Sequence, residues 1–169
     1  MHLDRYQAHY AQHSARERPH RWQGIVERLS GELGAISVLD YGCGPAANLA
    51  RFSALHVTSY DPAVPEYAPE PAPVDLVVCM HVLEHVEPEY LDATLLHLWR
   101  LVRIAALVTV SCQVSTKLLP DGSPWHCCVK PPAWWEATLT ALVIPGTLEP
   151  LPVERPGLEY GCLLRRARA

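Results

Sequence analysis

Four residues at the end of one short apolar run carry the first recognisable chemistry in this sequence. In VLDYGCGPAAN, from Val38 to Asn48, Asp40 is followed closely by Gly42, Cys43 and Gly44. Glycine has no Cβ, so a ligand can come against the backbone there and unusual φ angles cost little. A second acid, Asp61, lies 21 residues after Asp40, at the end of the next apolar run, HVTSYD, with Pro62 beside it. An acid in that place can accept hydrogen bonds from ribose hydroxyls. A bare turn between strand and helix also uses glycine, so the indication of a nucleoside rests on the turn and the spaced acid together.

The same residues discriminate among nucleotides. A pyrophosphate cofactor favours G-x-G-x-x-G leading into a helix N-terminus, whereas Ala47 stands where the third glycine would be. An acid just before the turn repels phosphate but suits the cationic amino group of a methionine moiety. That charge argument favours S-adenosylmethionine over NAD.

Methyl transfer from a sulfonium chiefly requires that the acceptor be positioned and water excluded. A base is optional, and where the acceptor is a hydroxyl or protonated amine a histidine can take the proton. The candidates are His81, His85 and His126. His85 precedes a helix that Pro88 opens, so capping or packing competes with catalysis there. His126 lies in a long irregular segment that should face the ligand. Its context, WHCC, raises a metal, but zinc takes about four ligands, usually from two separated pairs. No second pair has suitable spacing, so no metal is expected. Trp125, Trp134 and Trp135 either wall an acceptor or pack the segment onto the sheet. Lys117 is a candidate to orient a polar acceptor, and Asp121 either shares that role or serves the turn with Gly122.

The elements that must position these residues follow from apolar periodicity. AISVLDYGCG, HVTSYD, VDLVVCM and AALVTVSC read as strands, the third apolar throughout, as suits a strand covered on both faces. Tyr6 to Leu33 suggests helices broken near Pro19, with Trp22, Ile25, Val26 and Leu29 on one buried face. Asn48 to Leu55 reads as a short helix. EPEYLDATLLHLWRLVR places Leu91, Leu95, Leu98, Trp99 and Val102 at helical spacing. Prolines from Asp61 to Asp75 exclude helix and paired strand. ALVIPGTLEPL and LEYGCLLRR read as an antiparallel pair at the sheet edge. The expectation is a doubly wound α/β sheet with its ligand at the carboxyl ends of the central strands.

Composition sets the outer bounds. The 169 residues suit one domain, 1–169, with residues 1–33 as a helical lid and 113–136 as an acceptor-side loop. Fourteen Lys and Arg against eighteen Asp and Glu give a net charge of -4, so nothing gathers phosphate backbones or anionic lipid, and a nucleic-acid partner is disfavoured. The Arg165, Arg166 and Arg168 cluster reads as a solvated terminus. Six cysteines in a chain whose first residues, MHLDRYQAHY, form no leader read as free thiols in a cytoplasmic protein. No apolar run reaches the roughly 18 to 20 residues of a membrane helix.

LDYGCGPA resembles motif I of class I S-adenosylmethionine-dependent methyltransferases, and VDLVVCMHVLEHVEP resembles their fourth-strand motif. KLLPDG, His126, Pro132 and Trp134-Trp135 are similar to small single-domain members from bacteriophages and proteobacteria. The resemblance covers about residues 36 to 136. It implies a Rossmann-like, mostly parallel sheet with an antiparallel C-terminal strand pair, shortened around the usual third strand. It further implies that Asp40, Gly42, Cys43 and Gly44 hold the methionine end, that Asp61 holds the ribose, and that His81, Val82 and Leu83 line the pocket. Tyr6 or Tyr10 would close over the cofactor. The expected activity is methyl transfer to O or N of a small molecule; a nucleic-acid methyltransferase or a non-catalytic S-adenosylmethionine-binding or scaffold module are the alternatives. Two departures stand out: His81 replaces a common acidic or small polar residue, and the Pro-rich segment replaces a helix and a strand. Glu66 and Glu70 are poor substitutes for the missing adenine reader.

Overall fold

The computed structural model describes residues 3–12, 23–46 and 55–167. The apolar runs become strands, and the central ones are covered on both sides, which is the setting of a buried parallel sheet. They are β1 (Ser37–Tyr41), β2 (His56–Tyr60), β3 (Val74–Met80), β4 (Val102–Ser111), β5 (Gly146–Pro150) and β6 (Glu159–Arg166). The sheet order is β2-β1-β3-β4-β6-β5. The first four strands are parallel, and β6 runs antiparallel to both β4 and β5. The expected mixed sheet with its antiparallel C-terminal pair is therefore what forms.

Side-chain alternation sends the two halves of each strand into different layers. Leu76, Val78, Ala105 and Leu107 meet Val26 and Leu29 on one face. Those two residues belong to helix α2 (Gln23–Leu33), which α1 (Leu3–Gln12) precedes. Val77, Cys79, Ala106 and Val108 point to the other face, against Leu91, Leu95, Leu98, Trp135 and Leu139. The last five come from α3 (Leu91–Arg100) and α4 (Pro132–Leu142). Among the described residues, no helix is long and apolar enough to cross a membrane.

Two boundaries differ from the periodicity. Val102 opens β4 rather than closing the helix, which ends at Arg100, so the strand begins three residues before the AALVTVSC run. The expected loop 113–136 ends early, because Pro132 starts α4 from a position that suits proline in a first helical turn. Pro19, Trp22, Arg168 and residues 48–54 of the expected Asn48–Leu55 helix lie outside the described residues.

The Pro-rich stretch is an irregular connection, as expected. It folds into successive turns in which Val64 N–H donates to the Asp61 carbonyl (3.0 Å) and Asp61 N–H donates to that of Tyr67 (3.0 Å). No helix lies between β2 and β3 among the described residues, and aromatic rings cover that part of the sheet instead. Tyr41, Tyr60 and His97 sit with ring centroids 5.3 to 5.6 Å apart. The Tyr41 hydroxyl lies 2.8 Å from His97 Nδ1, and His97 Nε2 lies 2.9 Å from Glu70 Oε1.

At the opposite end of the sheet, Asp75 ties the start of β1 to β3. Its Oδ2 accepts from the amides of Ile36 (3.1 Å) and Ser37 (3.0 Å), while its own amide donates to Ser37 Oγ (3.0 Å). Partial burial pushes the carboxyl pKa up, but the bonds to Ser37 and Ile36 outweigh it and hold the group below its ordinary 3.8. A depressed carboxyl stabilises the fold above the unfolded pKa and loses that contribution as pH falls through the folded one. Asp75→Asn should therefore lower the stability from urea unfolding at pH 7 by about 0.5–1 kcal/mol, the low end for a hydrogen-bonded group that solvent screens. The gap between parent and variant should narrow as the pH is taken below 3.8.

Candidate active site

A cleft of about 410 Å³ opens at the carboxyl ends of β1, β2 and β3. Strand ends supply Tyr41, Gly42, Tyr60, Asp61, Pro62, His81 and Val82, α1 supplies Leu3, Tyr6 and Tyr10, and the approach to α3 and its first turns supply His85, Val86, Tyr90, Ala93, Thr94 and His97. Trp125 completes the wall from the loop after β4.

The glycine turn is shaped by two demands. Gly42 has φ +75°, and a Cβ added to it would overlap the side chain of Val82. Its amide donates to the Tyr60 carbonyl (2.7 Å), and the Cys43 amide reaches the same oxygen (3.2 Å). Asp61 then closes the turn: Oδ2 accepts from the Gly44 amide (2.8 Å) and Oδ1 from the Ala63 amide (2.9 Å). Burial pushes the Asp61 pKa up, and the Ala63 and Gly44 amides only partly offset this. Asp61 is thus both a cleft residue and the staple between the glycine turn and the Pro-rich segment.

Several expected contacts are displaced from the cleft surface. Asp40 is buried within the sheet, in register with Ser59 and Val78, and is not part of the lining. Cys43 and Gly44 also stand outside the lining; the Cys43 thiol donates to the Gly44 carbonyl (3.3 Å), and burial holds its pKa well above the usual thiol value. Leu83 is wholly buried in the core and is not part of the lining.

His81 does line the cleft, but its ring is clamped from both sides. Nδ1 lies 3.2 Å from Glu84 Oε1 and Nε2 lies 2.9 Å from Glu159 Oε1, with both carboxylates buried. Its backbone has φ 55°, and its amide donates to the Thr109 carbonyl (2.9 Å). His85 is the second histidine on the wall. It caps no helix: its Nδ1 lies 2.7 Å from the Trp125 carbonyl, and burial lowers its pKa, which favours the neutral ring. The Tyr6 hydroxyl donates to the His85 carbonyl (2.7 Å), and Tyr6 and His85 both meet the Trp125 ring edge-on. These contacts seat α1 on the cleft.

The remaining acceptor-side candidates separate. His126 is outside the lining, its ring 5.0 Å from that of His85 and its Nδ1 2.8 Å from the Gln113 carbonyl. Trp135 is fully buried beneath α4, and Trp134 lies on the outside of that helix, 5.5 Å from the Lys130 ammonium. Lys117 is exposed and its amide bonds Ser115 Oγ (3.1 Å). Of that group only Trp125 reaches the cleft, because α4 turns the two other tryptophans away. Asp121 takes the turn role, accepting from the Ser123 amide (2.9 Å).

Some site residues were not anticipated. Tyr90, Ala93, Thr94 and His97 recur at i, i+3, i+4 and i+7, a helix face that periodicity could have exposed. Glu159, at the start of β6, carries no local signal. All six cysteines are free thiols, with burial pushing Cys112 and Cys127 up to about 11.

Residues 14–134 of this chain match the family model described as a methyltransferase domain. The chain belongs to that family. The methyltransferase domain has the fold of several solved structures at low sequence identity. An O-methyltransferase family protein from Burkholderia thailandensis is 16% identical, with TM-score 0.59; the alignment covers 86% of this chain and 56% of that one. The DhpI complex with S-adenosylhomocysteine is 19% identical, with TM-score 0.60 and coverage of 98% and 96%. A Burkholderia thailandensis 1,6-didemethyltoxoflavin N1-methyltransferase with bound substrate and S-adenosylhomocysteine is 20% identical, with TM-score 0.52 and coverage of 86% and 78%. No curated protein matches the sequence.

The crowding at Gly42 gives a direct test. Gly42→Ala should destabilise the methyltransferase domain by about 1–3 kcal/mol, through positive φ and overpacking together. Adding Val82→Ala should recover part of the loss in thermal unfolding, because it removes the clash and leaves the φ penalty. Asp61→Asn should cost about 1–3 kcal/mol in urea unfolding, since one backbone amide then faces a donor instead of an acceptor.

Proposed function

We propose that the cleft binds S-adenosylmethionine and that the protein transfers its methyl group to oxygen or nitrogen of a small molecule. The observation that carries this is the strand-end cleft bounded by Gly42, Asp61 and Val82, formed in a methyltransferase domain. Its volume of about 410 Å³ lies within the usual range for sites that enclose small ligands. The residues fit the donor: Gly42 lines the cleft with Val82 seated where a Cβ would stand, and Asp61 brings a buried carboxylate with lone pairs beyond those given to the two amides. Pro62, Ala63 and Val82 offer apolar contact for a base. The related proteins bound to S-adenosylhomocysteine, one with its small-molecule substrate, support the same assignment.

When bound, S-adenosylmethionine supplies a methyl group already activated on a sulfonium. The chain's own residues then have to hold an acceptor and exclude water. Tyr6, Tyr10 and Trp125 cover the cleft from α1 and the loop after β4, and their aromatic faces suit a flat organic acceptor. Neutral His85 keeps an Nε2 lone pair available to a proton or to a Lewis acid. A net charge of -4 weighs against a polyanionic acceptor.

Titration calorimetry with S-adenosylhomocysteine, followed by a methyl-release assay over phenols, amines, carboxylates and a short RNA, tests the proposal. Binding with turnover on a small acceptor is expected. Ala93→Trp, an exposed position on the cleft wall, should lower donor affinity at least tenfold while circular dichroism stays unchanged. Absence of donor binding would overturn the proposal; binding with turnover only on RNA, or with none at all, would overturn the acceptor class or the catalytic role.

A further inference from the structure

Three side chains behind the cleft wall converge in a way that methyl-donor binding does not require. Glu84 and His85 are adjacent in the short 3-10 turn after β3, and His126 arrives from the loop after β4. One carboxylate or ring-nitrogen atom from each lies within 4.8 Å of the others. The sequence hides this set, because its third member is 41 positions beyond its second.

The orientation of both rings is fixed from behind. His85 Nδ1 faces the Trp125 carbonyl at 2.7 Å, and His126 Nδ1 faces the Gln113 carbonyl at 2.8 Å. A carbonyl only accepts, so each Nδ1 bears a hydrogen, which in a neutral imidazole places the lone pair on Nε2. Backbone carbonyls holding Nδ1–H in this manner are the usual outer support of metal-bound imidazoles.

The carboxylate points to the same ligand independently. Glu84 is 1% exposed, and its Oε2 is buried without a hydrogen-bond partner among the described residues. Leaving a buried charged acceptor unsatisfied is unfavourable, and a cation relieves it. On the far side of the His81 ring stands a second buried carboxylate, Glu159, so two acids share one imidazole.

We propose that Glu84, His85 and His126 bind a first-row divalent transition cation. Two imidazole nitrogens and one carboxylate oxygen suit zinc, manganese, iron or cobalt better than calcium or magnesium, which favour all-oxygen shells. Three protein ligands leave coordination positions open, and the site borders the cleft through His85. Coordination engages the Nε2 lone pairs, so in the metal-bound protein neither histidine is a proton acceptor.

The experiment uses the full chain, stripped with a chelator, dialysed, and titrated separately with zinc chloride and cobalt chloride without methyl donor. One ion per chain is expected, with cobalt giving visible d–d absorption and no thiolate charge-transfer band. His126→Ala, a half-buried change, should weaken binding at least tenfold while circular dichroism and S-adenosylhomocysteine affinity are retained; His85→Ala should weaken it comparably. Lack of saturable binding by either ion overturns the proposal. Affinity equal to that of the parent in both variants, or a thiolate band from Cys127 or Cys128, overturns this ligand set. Because the titration omits the donor, its failure and failure of the methyltransferase proposal are read separately.

Discussion

The Asp61 carboxylate, shared between the amides of Gly44 and Ala63, is the interaction on which the open end of the sheet depends. Parallel strands end in a row of backbone groups that the ladder no longer pairs, and each must find a partner or stay wet. At β1 the glycine turn gives its Gly42 and Cys43 amides to the Tyr60 carbonyl, which leaves the next amide for Asp61. One side chain thus joins the ends of β1 and β2 to the Pro-rich segment and sets the width of the cleft between them. The group is buried at a cost, visible in its raised pKa, and the two amides recover part of that cost.

Much of the fold was legible because it is written locally. Unbroken apolar runs mark strands covered on both faces, and the layers receive Val77 and Cys79 on one side and Leu76 and Val78 on the other, as alternation requires. The antiparallel closing pair was visible from its length and its glycine and proline punctuation. Val102 was misplaced because a β-branched residue at helical spacing also suits a strand. α4 was missed because its two prolines at the start and two tryptophans inside look like a loop by composition, whereas proline is at home in a first turn.

The candidate site was legible where strand order alone brings residues together. Gly42, Asp61, Pro62, His81 and Val82 come together because strand ends in a parallel sheet share one edge. Asp40 and Leu83 were carried along by the same motifs, but strand alternation turns Asp40 into the sheet and the 3-10 turn after β3 buries Leu83 in the core. Trp134 and Trp135 were expected on a loop, and the helix that forms there sends one outward and one into the core. The grouping of Glu84 and His85 with His126 depends on how the loop after β4 folds back, for which no spacing rule exists.

His81 sits under conflicting requirements. Its left-handed backbone would suit glycine, and a residue with a Cβ gives up about 1 kcal/mol there. Its ring nevertheless bridges Glu84, beyond the end of β3, to Glu159 at the start of β6. For histidine to match glycine at this position, that bridge must return at least the conformational loss, which sets a floor on its worth. The floor also makes the position selective: glycine would relax the chain and unfasten β6 from the turn after β3, whereas an apolar side chain would keep the strain and lose the fastening.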